Sequence, residues 1–432
     1  MNQTINNLDS YQQTIRDLSE RLVKAQQPIR VLDAIKWDPN IQIEFFKNKF
    51  KKLPAITKEY YQQNVLPFDV EQKKVEFYDI ERDIHRQLGQ FSTVGNIMLR
   101  MCREYRDLVR MLKHRGEVEF CKLSLQLYGS ADDAFYAGQP SLKDLADMLS
   151  ATLANFKMPK NSLLDEKKFN SDEMVVILQK RMDEYFHDVE RRVMVKLSDG
   201  ILADAAAGAD LIRVRKGAMF SQRDIRVMEV HEGWVHIGTT LNGLAQPICT
   251  FLSKGPPSST VTQEGLAIIM EIFTFASFPG RVQRLTDRIT AIAMAENGAN
   301  FIDVFNFYRE RGIAEEESYH NTTRVFRGSL PENGFFTKDL VYSKGFILIY
   351  NYIQLAVEAG TTHNIPLLFT GKTTLEDLRS ISDLIEEKIV IPPKYIPNQF
   401  QDLAALSAWM SYNNFLRKLS YERIAIDYKD VL

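Results

Sequence analysis

The sequence contains little cysteine, glycine or proline. Its three cysteines, Cys102, Cys121 and Cys249, are widely spaced among 432 residues, and no Cys-x-x-Cys pair occurs. This scarcity excludes a disulfide framework and a thiolate zinc site, and it is typical of a reducing compartment. Glycine and proline number only 21 and 15, which excludes low-complexity sequence. We therefore expect a folded, cytoplasmic protein.

An excess of charge of one sign is also missing. Lysine and arginine total 54, aspartate and glutamate total 56, and the formal net charge is -2. Without a basic excess, binding to nucleic acid has no electrostatic support. The 45% of hydrophobic and 25% of charged residues are the proportions of an ordinary soluble globular protein.

Long apolar runs are absent from the sequence as well. The longest apolar stretches, residues 267–278 and 345–357, are interrupted by Glu271, Asn351 and Gln354. A membrane span needs about 20 mostly apolar residues. The first residues lack the basic and apolar regions of a secretory signal. We expect a soluble protein with no membrane partner, and the sequence does not indicate its oligomeric state.

Hydrophobic periodicity divides the chain into two parts. Helical spacing over residues 8–25 and 94–127 predicts helices in the N-terminal third. After a surface connection at 158–172, a helix is predicted over 172–187. Short runs of β-branched and aliphatic residues follow. They predict two strands, which residues 192–197 and 210–216 would form on either side of Gly200 and an alanine-rich turn around Gly208.

Helical spacing returns after these strands. Ser221 opens a capping-box pattern, which predicts a helix from there to about residue 242. Thr262 is expected to cap the next helix, residues 263–275, after an irregular loop at 255–259. Pro279 and Gly280 are expected to stop that helix. A short strand is predicted at residues 366–369.

One cluster of residues has the chemistry of a metal site. The segment His231-Glu-Gly-Trp-Val-His236 is followed by Glu264, in a chain with only seven histidines. Catalytic zinc takes three nitrogen or oxygen ligands and leaves one position open, so two imidazoles and one carboxylate suffice. Glu232, beside the first ligand, is then placed to take a proton from the attacking water.

The spacing of the two histidines poses a geometric problem. Residues five apart differ by about 140° around a regular helix of 3.6 residues per turn. Both imidazoles reach one ion only if the helix is locally long by one residue, so the sequence predicts a π-bulge near Gly233. The alternative is that His231 and His236 are ordinary polar helix residues, and Glu264 a first-turn carboxylate.

Two glutamates and one glycine on the next helix have expected roles. Glu264 is expected in the first turn of its helix, where the helix dipole favours the ionised form. Gly265 is expected to let the facing helix approach closely. Glu271 lies seven residues further on the same face, where it either orients a histidine or is a paired surface charge.

The string Thr262-Gln-Glu-Gly-Leu-Ala267 resembles the signature of the QEGLA motif proteins, a bacterial group related to the microtubule-associated tyrosine carboxypeptidases. The ordered set of landmarks carries the resemblance over most of the chain. It comprises Leu32-Asp-Ala-Ile-Lys-Trp37, His231–His236, Gln263–Ala267, Arg324-Val-Phe-Arg-Gly328 and Phe336-Thr-Lys-Asp-Leu-Val-Tyr342. The eukaryotic relatives carry a long basic N-terminal extension that this sequence lacks, so microtubule binding and tubulin as substrate are not among our expectations.

This resemblance implies a zinc metallopeptidase of the gluzincin kind. His231, His236 and Glu264 resemble its zinc ligands, and Glu232 its catalytic base. A carboxypeptidase must also bind a C-terminal carboxylate, for which arginine is suited because its guanidinium bonds bidentately.

Four further residues are candidates for substrate contact. Arg324, Arg327 and Lys338 are candidates for binding the substrate, and Tyr342 for donating its hydroxyl to the oxyanion. The alternative for all four is a set of surface salt bridges and a half-buried tyrosine.

Together these observations predict an α+β, mostly helical fold with a zincin-like (gluzincin) core, in which a small sheet precedes the active-site helix. An N-terminal helical region, 1–190, would pack on a catalytic region, 191–432, or the two would form one continuous domain. The predicted activity is zinc-dependent removal of C-terminal residues from peptides or proteins. The alternatives are a metal-free regulatory binding protein and a zinc hydrolase acting on other substrates.

Overall fold

The computed structural model describes residues 8–155, 164–189, 192–208 and 210–429. These residues form a mostly helical α+β structure with two small sheets, as predicted. The predicted division at residues 190 and 191 lies outside the described residues, as does part of the predicted connection, 158–163. The division into two regions therefore stays a prediction.

The first half of the chain is helical. Its helices are Ser10–Gln26, Val31–Ala34, Pro39–Lys47, Lys58–Gln63, Val70–Leu88, Thr93–Lys113, Val118–Tyr128, Leu142–Ala154 and Ser171–Tyr185. The predicted first helix is confirmed, with Asp9 in a capping box. The helical spacing over 94–127 is confirmed, and it belongs to two helices that Gly116, with φ 75°, separates. The helix predicted from residue 172 begins at Ser171 and is capped by Asn170.

Five short strands follow or flank these helices. They are β1, Phe169–Asn170; β2, Met194–Ser198; β3, Ala205–Ala207; β4, Leu211–Arg215; and β5, Met219–Phe220. Strands β1 and β5 pair antiparallel. The other three form a sheet of order β2-β4-β3, in which β2 lies parallel and β3 antiparallel to β4.

Among the residues that the structure describes, no strand pairs with the outer side of β3. The two strands predicted from the sequence are confirmed as β2 and β4, with Ile212 and Val214 buried. The chain turns near Gly208 as predicted, with the Gly208 N–H bonded to the Leu211 carbonyl, but the alanines are not part of the turn, because Ala205–Ala207 form β3. Alanine has a low strand propensity, so the pattern of β-branched residues missed this strand.

The second half of the chain contains three helices that matter for the site. The histidine helix covers residues 222–244 and consists of Gln222–Met228, Glu229–Ile237 and Gly238–Leu244. The glutamate helix is Pro257–Phe273, and the tyrosine helix is Val341–Glu358. The remaining α-helices are Pro279–Glu296, Phe301–Glu310, Glu315–Phe326, Leu378–Glu386, Asn398–Gln401, Leu403–Leu416 and Tyr421–Asp427.

Short 3-10 helices connect several of these elements. They are Thr250–Ser253, Lys338–Leu340, Thr362–Phe369 and Leu375–Asp377. The strand predicted at residues 366–369 is therefore wrong. A run of four apolar residues does not distinguish a strand from another buried element, and here Pro366 lies inside a 3-10 helix.

The core joins the N-terminal helices to later parts of the chain. One cluster of buried residues contains Leu18, Met98 and Leu112 from the N-terminal helices together with Phe251 and Val341. Ser19 also accepts a hydrogen bond from the Phe251 N–H at 2.8 Å. The N-terminal helices therefore pack directly against the segment that connects the histidine and glutamate helices.

Among the described residues, one helical stretch, Lys338–Glu358, is long and apolar enough to cross a membrane by length and composition. In this structure its apolar residues Val341, Ile349 and Ile353 are buried against other elements of the chain. One side of the stretch is therefore part of the core, while Leu355 is 60% exposed.

The glutamate and tyrosine helices approach each other at two glycines. A Cβ atom on Gly265 would lie 2.1 Å from the carbonyl carbon of Gly345, and one on Gly345 would lie 2.0 Å from the Val261 carbonyl oxygen. Gly265 thus permits a close approach, as predicted, but the helix that faces it is the tyrosine helix. Both contacts involve backbone, which cannot move aside as a side chain would.

We expect Gly265→Ala to lower the free energy of unfolding by about 1–3 kcal/mol or more, because overpacking forces two backbones apart. Urea unfolding followed by circular dichroism measures the change. Gly238→Ala is a matched control, because its Cβ would lie an ordinary 3.8 Å from Tyr395. The control should be neutral or stabilising, by up to about 1 kcal/mol. Equal stability of Gly265→Ala and the parent would contradict the packing argument.

Candidate active site

The two histidines point to one place because the histidine helix is wound as a π-helix between Glu229 and Ile237. The Gly238 N–H bonds to the Gly233 carbonyl, five residues back. This winding brings the His231 and His236 rings to 4.8 Å between centroids. The π-bulge predicted from the five-residue spacing is therefore confirmed.

Buried charges and stacked rings hold the start of the π-helical segment. Glu229, only 9% exposed, pairs with Arg181, and with Arg226 at 3.0 Å. The Arg226 guanidinium lies 4.7 Å above the Trp234 ring, which stacks on Tyr185 at 5.0 Å. These contacts fix side chains on the segment opposite the histidine rings, which resists its return to regular α-helical winding.

Glu264 completes the cluster from the glutamate helix. Its Oε2 atom lies 3.1 Å from Nε2 of His231 and 3.4 Å from Nε2 of His236. Burial raises the pKa of Glu264, but the two histidines outweigh this and hold the pKa well below its ordinary value. The carboxylate is therefore charged and accepts from both rings.

The predicted place of Glu264 in the first helical turn is wrong. The helix begins at Pro257, so Glu264 lies in its third turn, beyond the reach of the helix dipole. Thr262 is not the cap. Its hydroxyl instead accepts a hydrogen bond from the Leu375 N–H at 3.1 Å. The charge of Glu264 depends on the imidazoles rather than on the helix terminus.

The three side chains fit the donor set of a zinc ion. His231, His236 and Glu264 each offer one ligand atom, and these atoms all lie within 4.8 Å of one another. Ligands at about 2.0–2.1 Å from a tetrahedral ion are roughly 3.3 Å apart. The two distances measured from Glu264 bracket that value. Two imidazoles and a carboxylate are also the ligand types of known catalytic zinc sites.

A second carboxylate orients the first histidine from behind. Glu271 is fully buried, and its Oε1 atom lies 2.7 Å from Nδ1 of His231. Arg281 donates two hydrogen bonds to the same carboxylate, at 2.9 and 3.0 Å. Burial lowers the pKa of His231, but the hydrogen bonds that its ring donates to Glu264 and Glu271 raise it to about 10. The reading of Glu271 as a surface charge is wrong.

Gln263 and Lys372 connect the two ligand-bearing helices, a role that sequence reasoning missed. The Lys372 Nζ lies 3.0 Å from the His236 carbonyl, from Oγ1 of Thr239 and from Oε1 of Gln263. The Thr239 hydroxyl also donates to Gln263, at 2.6 Å. Lys372 belongs to a stretch, residues 369–374, that superficially resembles a phosphate loop, and here it supports the site.

Glu232 faces the cleft beside the histidines. Its Oε2 atom accepts a hydrogen bond from the Ala207 N–H at 2.7 Å, so the edge strand β3 holds the carboxylate in place. The sequence pointed to Glu232 through its position next to His231. It gave no signal for Ala207, because a backbone contact across 25 residues leaves no trace in residue type.

A cleft of about 800 Å³ opens above these residues. Glu232, His236 and Glu264 form part of its wall. Another wall comes from the N-terminal region, around Ile29 to Trp37, and a third from the loop and edge strand at residues 200–208. The N-terminal helices therefore contribute to the same cavity as the histidine and glutamate helices.

All four predicted substrate contacts also line this cleft, namely Arg324, Arg327, Lys338 and Tyr342. The centroid of the Tyr342 ring lies 6.2 Å from that of the His231 ring, and the Arg288 guanidinium lies 5.0 Å from the centroid of the Tyr342 ring. Burial and Glu264 raise the pKa of Tyr342 to about 12. The hydroxyl therefore keeps its proton near neutral pH and can donate it in a hydrogen bond. The alternative reading is wrong in placing Arg324 and Arg327 at the surface, because both are buried, but Tyr342 is half-buried as that reading held.

Comparison with known proteins agrees with the sequence resemblance at the level of the family. No curated protein matches the chain. A family model described as microtubule-associated tyrosine carboxypeptidase matches residues 43–418. The matched span includes the histidine, glutamate and tyrosine helices and every candidate site residue. The chain thus belongs to the microtubule-associated tyrosine carboxypeptidase family.

Proposed function

We propose that this chain is a zinc-dependent carboxypeptidase that hydrolyses the last peptide bond of a peptide or protein. The convergence of His231, His236 and Glu264 beside Glu232, at the wall of a cleft, carries the proposal. We also propose a zincin-like core of the gluzincin kind, because the sheet β2-β4-β3 precedes the histidine helix and the third ligand comes from the next helix.

Each residue has a proposed task in the hydrolysis. A zinc ion held by the three ligands would supply a Lewis acid that polarises the scissile carbonyl and makes water more acidic. Glu232 takes a proton from the attacking water and later gives it to the leaving amine. Tyr342 donates its hydroxyl to the oxygen that becomes negative in the transition state. Glu271 and Arg281 keep the His231 ring in a fixed orientation and tautomer.

The edge of the small sheet suggests how the peptide backbone is held. Ala205, Ala206 and Ala207 line the cleft, and β3 pairs with β4 along one side. An extended peptide can add to such an edge through main-chain hydrogen bonds, which tolerate many sequences. The edge of β3 beside Ala205 is therefore the proposed site for the residues that precede the scissile bond, because the Ala207 N–H is already bound to Glu232.

Charges on the outer cleft favour an acidic substrate. Arg30, Lys36, Arg213 and Lys254 line the cleft there, together with Asp33. Complementary charge mainly speeds association and selects partners. The family description names a tyrosine carboxypeptidase, so peptides with acidic residues before a C-terminal tyrosine are the first substrates to test.

We expect Glu232→Gln to abolish hydrolysis while leaving zinc stoichiometry unchanged, because the variant loses a proton acceptor and keeps all three ligands. Elemental analysis of the purified protein and mass spectrometry of a peptide library measure the two properties. The library separates C-terminal trimming from internal cleavage. An active Glu232→Gln variant contradicts its role as base. A parent protein that binds no zinc favours the alternative of a regulatory binding protein.

We expect Glu271→Gln to weaken zinc binding by about 10- to 100-fold, because loss of a carboxylate behind a ligating histidine commonly has this effect. Competition with a chromogenic chelator measures the dissociation constant without reference to turnover. Glu310→Gln, at the exposed end of the helix Phe301–Glu310, is a matched control. Zinc affinity equal to that of the parent would show that Glu271 serves only to pair with Arg281.

A further inference from the structure

We propose that Arg327 binds the α-carboxylate of the substrate's last residue and thereby restricts the enzyme to free C-termini. This inference rests on the proposed carboxypeptidase function and identifies one of the three candidate substrate-binding cations as the one that recognises the terminus. Arg324, Arg327 and Lys338 all line the cavity. Their surroundings differ enough to separate their roles.

Arg324 is already engaged by the protein. Its Nε atom donates to Oδ2 of Asp339 at 2.6 Å, and both side chains are almost fully buried. Burial lowers the pKa of Arg324, but Asp339 outweighs this and raises it above its ordinary value. A buried pair of this kind is costly to break, because either partner would be left as an uncompensated charge. Arg324 is therefore a poor candidate for exchanging its partner for a substrate.

Arg327 lacks such a partner among the described residues. Its side chain is 5% exposed, its Nε has no hydrogen-bond acceptor, and no described carboxylate lies within 4.0 Å of its guanidinium. Burial, together with repulsion from Arg324, lowers the pKa of Arg327 to about 10. The site thus holds a desolvated cation whose hydrogen-bonding capacity is unused.

The surrounding charges make this pocket attractive to an anion. Three arginines, Arg288, Arg324 and Arg327, interact with the one carboxylate of Asp339. Lys338 adds a fourth positive charge, which interacts with Glu264 and Asp339. An unpaired buried charge is strongly unfavourable unless a ligand compensates it. A carboxylate matches the planar fork of a guanidinium, which binds it through two parallel hydrogen bonds.

The backbone around Arg327 is fixed. The Arg327 N–H donates to the Thr323 carbonyl at 2.8 Å, at the end of the helix Glu315–Phe326. The next residue, Gly328, has φ 85° and donates its N–H to the Tyr61 hydroxyl at 2.8 Å. A guanidinium on such a rigid support is organised before the substrate arrives, which reduces the entropy lost on binding.

The wall behind Arg327 is closed. Phe326 is fully buried, and the ring of Phe336, which is 1% exposed, lies 5.8 Å from the Arg327 guanidinium. A Cβ atom on Gly328 would collide with the Phe120 ring at 2.1 Å, which shows how tightly this part is filled. A peptide that continued past Arg327 would have to displace the core. The position therefore suits the end of a chain and excludes its middle.

The test compares two peptides that differ only at the terminus. The parent enzyme is given an acidic peptide ending in tyrosine, as the free acid and as the C-terminal amide, and kcat/KM is measured for each. We expect the parent to prefer the acid by at least about 10-fold. Charge-assisted hydrogen bonds of this kind are commonly worth about 10- to 150-fold.

We expect Arg327→Gln to lose most of this preference, chiefly through a higher KM for the free acid. Arg327→Lys keeps the charge without the planar fork and should recover part of it. Arg82→Gln, an exposed arginine on the helix Val70–Leu88, is the control and should keep the full preference. The proposal is overturned if Arg327→Gln keeps the parent's preference for the free acid over the amide. It is equally overturned if Lys338→Met loses that preference while Arg327→Gln keeps it.

A binding measurement separates this inference from the proposed hydrolysis. In the Glu232→Gln background, calorimetry compares the affinities of the same acid and amide peptides without turnover. Tighter binding of the acid that disappears with Arg327→Gln supports the carboxylate site even if no peptide is cleaved. Equal affinities for acid and amide in the Glu232→Gln protein overturn it even if the parent is a peptidase.

Discussion

The site depends on one extra residue of helical winding between Glu229 and Ile237. In a regular helix, residues five apart would lie about 140° from each other. The π-helix removes this angle and turns two separate histidines into one donor pair, with Glu264 within 3.4 Å of both. The distortion is supported on the opposite side by the buried Glu229 and by the stacked Trp234 and Tyr185. Side chains that are not proposed to bind metal or substrate thus support the geometry of the two histidines.

The string Gln263-Glu264-Gly265 gains a physical meaning from its contacts. Gln263 binds Thr239 and Lys372, which ties the glutamate helix to the histidine helix. Glu264 meets both imidazoles, and Gly265 allows contact with the backbone of the tyrosine helix. Successive residues of a helix point in different directions, so each of the three meets a different neighbour. Together they fix the third ligand relative to three other elements.

Local patterns predicted the parts of the structure that local physics determines. The capping residue Ser221, the strands β2 and β4 and the π-bulge were all readable from spacing and residue type. The start of the glutamate helix was not, because Thr262 resembles a cap but lies within a helix that begins at Pro257.

Contacts between distant parts of the chain were the least predictable. The pair of Arg324 with Asp339, the hydrogen bond from Ala207 to Glu232 and the three contacts of Lys372 depend on tertiary packing alone. Side-chain chemistry named the candidate cations but could not rank them. Choosing between these cations requires the tertiary structure, which shows which of them already has a partner inside the protein.

The contact between Gly265 and Gly345 has a consequence for motion. Because the two backbones touch there, the glutamate and tyrosine helices cannot slide or tilt independently without a steric clash. Glu264 and Tyr342 are therefore carried by one rigid body, and the separation between the third ligand and the hydroxyl donor is preserved during thermal fluctuation. If the cleft widens to admit a peptide, the movement must therefore come from its outer walls, which the N-terminal segment and the sheet edge form.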